Sequence, residues 1–453
     1  MTAPRQRTER NPRARFLICT HPITGHVNPA LEVARELVAR GHEVRVYTGA
    51  KFAGKVAAVG ARFVPMTRAY DYDDSDYVNA FPGRSELSGI KQITFDFEQI
   101  FVRPALDQAA DLREILAQWP ATVLSDPGFG GAKILFQRGE LHRWAVFNIS
   151  VLGLPSRDVP PFGLGAMPVY SRAGRAKNAV LRFVADNIVF RRVNRALARV
   201  FADAGLPPEK FAPIASPMLY LQPSVPAFEY PRSDLIPSAH FIGPVLPRFT
   251  GEFHPPAWWD EVVEVAAHDR PVVLVTQGTV ATDTTELIEP TLRALAGEDM
   301  LVVATTGGRE LVGAVPANAR VASFVPFDRL MPLADAFVTN CGYGGVMFAL
   351  SNGLPLVCAG STEDKPEVGN RVAYCGVGIN LETNRPPERK ILESVRTVLS
   401  HPTYRANARA LAGRLAAHDG AAEAASLLEQ LAETDGPVLR GSTRLDWAMR
   451  ARM

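Results

Sequence analysis

The first concentration of apolar residues, Phe16-Leu17-Ile18-Cys19, reads with its flanks as a strand over residues 15–20. Seven loop residues follow, His21 to Val27, and then Asn28-Pro29, which has the form of an N-cap with proline at the first helical position. Leu31, Val33, Ala34, Leu37 and Val38 recur at helical spacing until Gly41 ends the run, and Glu43–Thr48 reads as a second strand. A strand, a tight loop, a helix and a strand in immediate succession form a βαβ unit, which implies a parallel sheet. The pattern continues with a helix over 52–59, an acidic loop around Asp71 to Asp76, a long helical stretch over 88–118, and a strand over 121–125 that ends at Asp126.

Between residues 150 and 221 the texture changes to proline- and arginine-rich loops around helices, which suits a wall over a cleft better than a central sheet. Residues 243–259 have the proline density of an interdomain linker, which is expected to run over 243–268. A second βα series follows, with strands at Val272–Thr276, 301–304, Ala336–Thr339 and 355–358. The expected organisation is a disordered basic tail over 1–14, a first domain over 15–242, the linker, a second domain over 269–434, and a tail over 435–453 whose end, 443–453, forms a short helix. Two doubly wound α/β domains place a site in the cleft facing the carboxyl ends of their strands.

Composition narrows this picture. The 453 residues, 47% apolar and 21% charged, suit two to three globular domains at about 150 residues each. Forty-nine basic against 47 acidic side chains leave a net charge of +2, so no global field gathers nucleic acid, and the Arg-rich start is the one local patch noted. Cys19, Cys341, Cys358 and Cys375 lack metal-ligand or CxxC spacing and read as reduced thiols. The first apolar run is too short for the ~7–15-residue core of a signal peptide, and no stretch approaches the ~18 apolar residues of a membrane span. A cytoplasmic protein without stable membrane insertion is expected.

Five loops carry candidate chemistry. His26 stands at the end of the first loop, where a neutral imidazole can serve as a general base; a histidine bonded to loop backbone is the plainer alternative, and His21 competes for the role. Asp126 closes another strand of the same sheet and could orient a histidine, or simply make an Asx turn before Pro127. In Asn340-Cys341-Gly342-Tyr343-Gly344-Gly345, glycines between a strand and a helix let backbone N–H groups approach an anion, or permit close packing. The spacing is not that of a Mg-nucleotide P-loop, and no metal-binding arrangement is evident. Glu363-Asp364-Lys365 opens a further helix, where acceptor oxygens could bind hydroxyls or merely cap it, and Gln277-Gly278-Thr279 forms another polar loop on that edge.

Taken together, Thr24-Gly25-His26-Val27-Asn28-Pro29, Arg40-Gly41-His42-Glu43-Val44, Ser323-Phe324-Val325-Pro326 and the glycine loop at 340–345 resemble the nucleotide-sugar-dependent glycosyltransferases that act on macrolides, flavonoids and other lipophilic natural products. The resemblance runs in order from about residue 15 to 433. It implies a GT-B fold of two facing Rossmann-like domains, acceptor-binding first and donor-binding second, with the C-terminal tail packing back on the first domain. It also implies inversion at the anomeric carbon without a metal or cofactor, using a UDP-sugar or TDP-sugar co-substrate and a lipophilic acceptor, in a monomer or homodimer. Under it His26 takes the acceptor proton and Asp126 balances the imidazolium. Phe324 stacks on the base and Val325 binds it through backbone groups. Asn340, Gly342, Gly344 and Gly345 hold the diphosphate, Asp364 and Lys365 read the sugar hydroxyls, and Gln277 and Thr279 lie beside the donor phosphates.

Four positions depart from the commoner pattern of that family: Asn340 stands for His, Gly345 for Ser or Thr, Phe348 for Glu and Lys365 for Gln. Phe348 removes an acceptor for ribose hydroxyls, a loss of roughly 1.5–3 kcal/mol, or about tenfold to hundredfold in affinity. The resulting expectation is transfer of a hexose, glucose from UDP-glucose first, to a hydroxyl of a polyketide, macrolide or phenol. A non-catalytic binding protein on the same fold and a sugar-nucleotide epimerase are the alternatives.

Overall fold

In a computed structural model, residues 13–441 are described apart from 88, 250, 269 and 279–282. Seven parallel strands make the first sheet: β1 (Arg15–Cys19), β2 (Glu43–Thr48), β3 (Arg62–Pro65), β4 (Thr122–Ser125), β5 (Trp144–Phe147), β6 (Leu219–Gln222) and β7 (Ala239–Phe241). Six make the second: β8 (Val272–Thr276), β9 (Leu301–Thr305), β10 (Ala319–Ala322), β11 (Ala336–Thr339), β12 (Leu356–Cys358) and β13 (Gly378–Asn380). The strand orders are 3-2-1-4-5-6-7 and 10-9-8-11-12-13, so each sheet reverses direction of winding once, between β1 and β4 and between β8 and β11. Helices cover both faces, which is why the central strands are apolar throughout: β1 buries Phe16, Leu17, Ile18 and Cys19, and β8 all five of its residues. These are two Rossmann-like domains in the GT-B arrangement.

Several local expectations shift. The first helix spans Thr24–Ala39, so Asn28 is not its cap and Pro29 lies inside it. The earlier start is supported from a distance: Asp74, in the acidic loop, accepts the Thr24 N–H at 2.7 Å and places a carboxylate at the positive helix end. The stretch expected as one helix over 88–118 is divided into Gly89–Asp96, a wide π-helical turn at Phe97–Val102, and Ala105–Gln118 after Pro104. β5 went unread, and the last part of the supposed cleft wall, Leu219–Leu221, belongs to β6 inside the sheet.

The connection between domains holds a helix, Trp259–Ala266, whose Val262 is buried in the second core. The final helix, Gly420–Glu433, falls within the stretch expected of the second domain, yet Ala424, Ala425, Leu428 and Leu431 are buried with Phe16, Ile18 and Val33 of the first. Beyond it, Val438 and Arg440 donate backbone N–H bonds to Met218 and Pro237 of the first domain. The chain thus crosses between domains twice, and the crossings touch. A side chain at Gly243 (φ +72°) would meet His418, and one at Gly420 would meet the Pro244 carbonyl. The expected terminal helix at 443–453 and the first twelve residues lie outside the described residues.

Buried ionic contacts hold the domains face to face. Arg371, on the second-domain helix Lys365–Tyr374, is fully buried and donates to Glu229 (2.7 Å) and to the Leu152 carbonyl (3.0 Å), with its guanidinium 4.2 Å from the Tyr230 ring centroid. Burial opposes its charge, but Glu229 and Glu367 more than offset this and raise its pKa. Glu367 on the same helix accepts the N–H groups of Gly163 and Gly165, both at 3.0 Å, which ties down the first-domain loop that follows β5.

Arg371→Ala leaves Glu229 buried without its cation and is expected to lower stability by about 3–5 kcal/mol in urea titration. Glu229→Gln should then cost less in the Arg371→Ala background than in the parent chain; equal costs would show the two residues to be uncoupled.

Candidate active site

The point where a doubly wound sheet reverses is where adjacent loops diverge and leave room for a ligand. In the first sheet this point lies between β1 and β4. Cys19 pairs with Ser125, and the Asp126 N–H donates to the Cys19 carbonyl (3.1 Å), so His21 and Asp126 emerge side by side. Asp126 is buried and accepts four donors: the His21 N–H (2.7 Å), His21 Nδ1 (3.0 Å), His26 Nδ1 (2.9 Å) and the Gly128 N–H (2.9 Å). Desolvation alone would raise its pKa, but the two imidazoles outweigh it and hold the carboxyl far below its usual range.

The protons in this network have one consistent direction. Gln108 Oε1 accepts the Gly131 N–H (3.1 Å), so the amide N–H of Gln108 faces His21 Nε2 at 3.2 Å. That nitrogen is therefore the unprotonated one, and His21 Nδ1 carries the proton given to Asp126. His26 also donates through Nδ1, which leaves its Nε2 lone pair without a partner among the described residues. His26 lines a cavity of about 580 Å³ between the domains, whereas His21 is shut beneath it. Phe101, from the π-helical turn, stacks on His26 (centroids 6.0 Å, 17°) and meets His21 edge-on (4.9 Å). His21, His26 and Asp126 also place three potential metal-ligand atoms within 4.8 Å of one another. The nitrogens lie along hydrogen bonds of 2.9–3.1 Å to the carboxylate, and a metal would have to displace the proton on each, so the geometry is that of a carboxylate orienting two imidazoles.

The second sheet repeats the arrangement. Gly278 follows β8 and Asn340 follows β11, and the helix Tyr343–Ser351 starts at once, with Gly342 as its N-cap. Gly342, Gly344 and Gly345 line the cavity, and the first-turn N–H groups point outward from the helix without intrahelical acceptors. A side chain at Gly344 would meet nothing within 4 Å, so the backbone is open to a ligand there. Cys341 (φ +66°) and Glu363 (φ +57°) adopt the left-handed conformation in the two loops that face the cavity, a local strain held by their surroundings. The fold brings Cys341 and Cys358 together, with sulfurs 2.8 Å apart as free thiols.

Asn340, Asp364 and Lys365 also line the cavity, as does Phe348, which meets Phe327 edge-on (5.5 Å). The Asn340 amide donates to the Gln277 carbonyl, and its oxygen accepts the Gly342 N–H (3.4 Å), so the side chain shapes the loop. Asp364 accepts the Ser150 hydroxyl across the cleft. Burial pushes the Asp364 carboxyl up, with Ser150 opposing and Glu363 adding to the shift. Lys365 is paired with Glu363 at 2.6 Å.

Other expected residues are placed differently. The Gln277 side chain faces away from the cavity, donating to the Asp283 carbonyl (2.8 Å) and accepting the Ile288 N–H (2.9 Å) at the start of the helix Ile288–Ala294. Thr279 lies outside the described residues. Val325 is buried in the second core, so only its backbone can serve a ligand, and Phe324 is 64% exposed beside Phe249 (6.0 Å). Sequence reading missed Gln108, Phe101 and Ser150, none of which carries a local signal. Their roles come from contacts with residues distant along the chain.

Residues 289–431 match the family described as Erythromycin biosynthesis protein CIII-like, C-terminal domain. The chain is 45% identical over 424 residues to 4'-demethylrebeccamycin synthase of Lentzea aerocolonigenes, covering 92% of this chain and 99% of that one. It is 34% identical to UDP-glucosyltransferase 1 of Beauveria bassiana, over 85% of this chain and 88% of that one. The solved glycotransferase of kitacinnamycin superposes with a TM-score of 0.72 at 23% identity, covering 93% of this chain and 99% of that one. With its carboxylate–imidazole pair, its glycine-bearing helix start and these relatives, the chain belongs to the nucleotide-sugar-dependent glycosyltransferases of natural-product biosynthesis.

Proposed function

We propose that this enzyme transfers glucose from UDP-glucose, with inversion and without a metal or further cofactor, to a hydroxyl of a lipophilic aromatic natural product. One observation carries the reading: the unpartnered Nε2 of His26 and the open N-terminus of the helix Tyr343–Ser351 face the same interdomain cavity. The first-domain share of that cavity is apolar, with Ile100, Phe101, Phe162, Phe201 and Phe211 among its lining. Such a surface suits a polyketide, macrolide or phenol, and one relative is named for making 4'-demethylrebeccamycin. An epimerase would have no use for it.

In this mechanism the acceptor oxygen attacks the anomeric carbon as His26 Nε2 takes its proton and the bond to the diphosphate oxygen breaks on the opposite face. The imidazolium forms beside the Asp126 carboxylate, which remains ionised wherever a histidine titrates. The diphosphate leaves toward the backbone N–H groups at Gly342, Gly344 and Gly345, where the helix dipole favours the developing charge. Asp364 and Lys365 then meet the sugar hydroxyls. A TDP-sugar is the second reading. It is favoured by Phe348, which puts an aromatic wall against Phe327 where the family places a ribose acceptor.

His26→Ala should reduce transfer by at least about 10²- to 10⁴-fold while leaving nucleotide binding intact in a thermal-shift titration. Transfer at near-parental rate would show another group to be the base. His21→Phe removes one donor from Asp126, so more of its charge falls on His26. With Asp126 less firmly held, transfer should fall while nucleotide binding is kept, and His21→Asn, which can still donate to the carboxylate, should restore it. With UDP at 100 times its Kd the protein should gain about 2.7 kcal/mol, more than with TDP at equal concentration. Phe348→Glu should tighten UDP about tenfold. A larger rise with TDP in the parent chain would favour the second reading.

A further inference from the structure

The Arg-rich start is not the only basic stretch in the chain. Residues 172–199 hold eight Arg and Lys against a single acid, Asp186, in a protein whose net charge is +2. They form the helices Arg172–Val184 and Arg191–Asp203, joined by a π-helical turn at Ala185–Val189.

The first of these helices is turned inside out. Its inward groups are polar: Asn178 is buried and donates to the Arg157 carbonyl (3.2 Å), Arg182 donates to the Ser156 carbonyl (2.6 Å), and Arg175 pairs with Asp158 (2.8 Å). Two of its apolar side chains point to solvent, Val180 at 63% and Phe183 at 65% exposed, while Leu181 and Val184 are half-buried, and Ile188 in the turn is 67% exposed. An ordinary surface helix places these two classes the other way round. None of these side chains lines the interdomain cavity. Around them Arg172, Lys177, Arg191, Arg195 and Arg199 are exposed and make no ion pair among the described residues. The second helix turns its other face to the interdomain cavity through Leu197 and Phe201.

Protruding apolar side chains with a cationic surround match a surface of anionic phospholipid, where apolar groups enter the headgroup boundary and guanidinium and ammonium groups meet phosphate. We propose that the surface formed by residues 172–199 docks the enzyme peripherally on anionic bilayers. No helix among the described residues is long and apolar enough to cross a membrane, so the contact is superficial. On the reading given above, this brings the acceptor cavity to the phase in which a lipophilic acceptor dissolves. The docking itself does not depend on that reading.

The test is flotation of the full chain with vesicles of phosphatidylcholine alone and of equimolar phosphatidylcholine and phosphatidylglycerol, at low salt and in 0.5 M NaCl, with no substrate present. The parent chain should float with the anionic vesicles, weakly with the neutral ones, and lose at least tenfold in binding at high salt. The triple variant Val180→Glu, Phe183→Glu, Ile188→Glu should lose at least tenfold at low salt, with an unchanged unfolding midpoint and unchanged transfer to a water-dissolved acceptor. Arg191→Glu combined with Arg195→Glu provides a second variant that leaves the apolar residues in place and should abolish the preference for anionic lipid. Failure of the parent chain to float with anionic vesicles overturns the proposal, including the case in which the patch serves an acidic protein. Equal flotation of parent and both variants overturns it as well.

Discussion

A carboxylate deprived of water must find its stabilisation in the protein, and Asp126 finds it in four donors that come from both ends of the β1–β4 switch point. Because those donors include both histidine side chains, satisfying the charge also aligns the catalytic candidate. His26 can offer Nε2 to the cavity only because Nδ1 is committed below. The commitment extends a further step, since the backbone N–H of Gly131 orients Gln108, Gln108 sets the tautomer of His21, and His21 shares the carboxylate with His26. The orientation of the imidazole at the cleft is thereby tied to a backbone amide separated from it by Gln108, His21 and Asp126.

That half-site is useful only while the other half faces it. Among its described residues the second domain presents no comparable carboxylate–imidazole network. It contributes a helix start, a strained loop at Cys341 and a carboxylate, Asp364, that already reaches the first domain through Ser150. Arg371 and Glu367 attach the same helix to the loop that follows β5, so the element that opens with Asp364 and Lys365 also holds a first-domain loop in place. Donor and acceptor sides are in this sense one mechanical unit. The price is a buried ion pair whose stability depends on every partner being present.

Much of this was legible along the chain. Alternation of apolar strands with helical spacing identified two doubly wound domains, and loops at strand ends identified His26, Asp126 and the glycine-bearing segment, because a strand terminus and a following helix start are encoded within a few residues. Gln277 shows the limit. Its position beside β8 made it a donor-loop residue, but its amide caps the helix beginning eleven residues later, at Ile288, since a helix start needs acceptors and the side chain is within reach. Asn340 likewise supports the loop it was expected to offer to phosphate, through the Gln277 carbonyl 63 residues away. The start of the first helix at Thr24 depended on Asp74, fifty residues on.

The amino-acid sequence by itself thus determined the sheet-and-helix alternation, the positions of the switch-point loops and the residue types available there, because hydrophobic periodicity and turn chemistry are local properties of the chain. Only the tertiary structure decided which histidine faces the cavity, which is buried as its partner, that the last helix returns to the first domain, and that the helix Arg172–Val184 shows its apolar side to solvent. Each of these depends on burial and on hydrogen-bond partners. His26 and Asp126 are 100 residues apart in the chain, and no pattern within a few turns of either can specify that they meet.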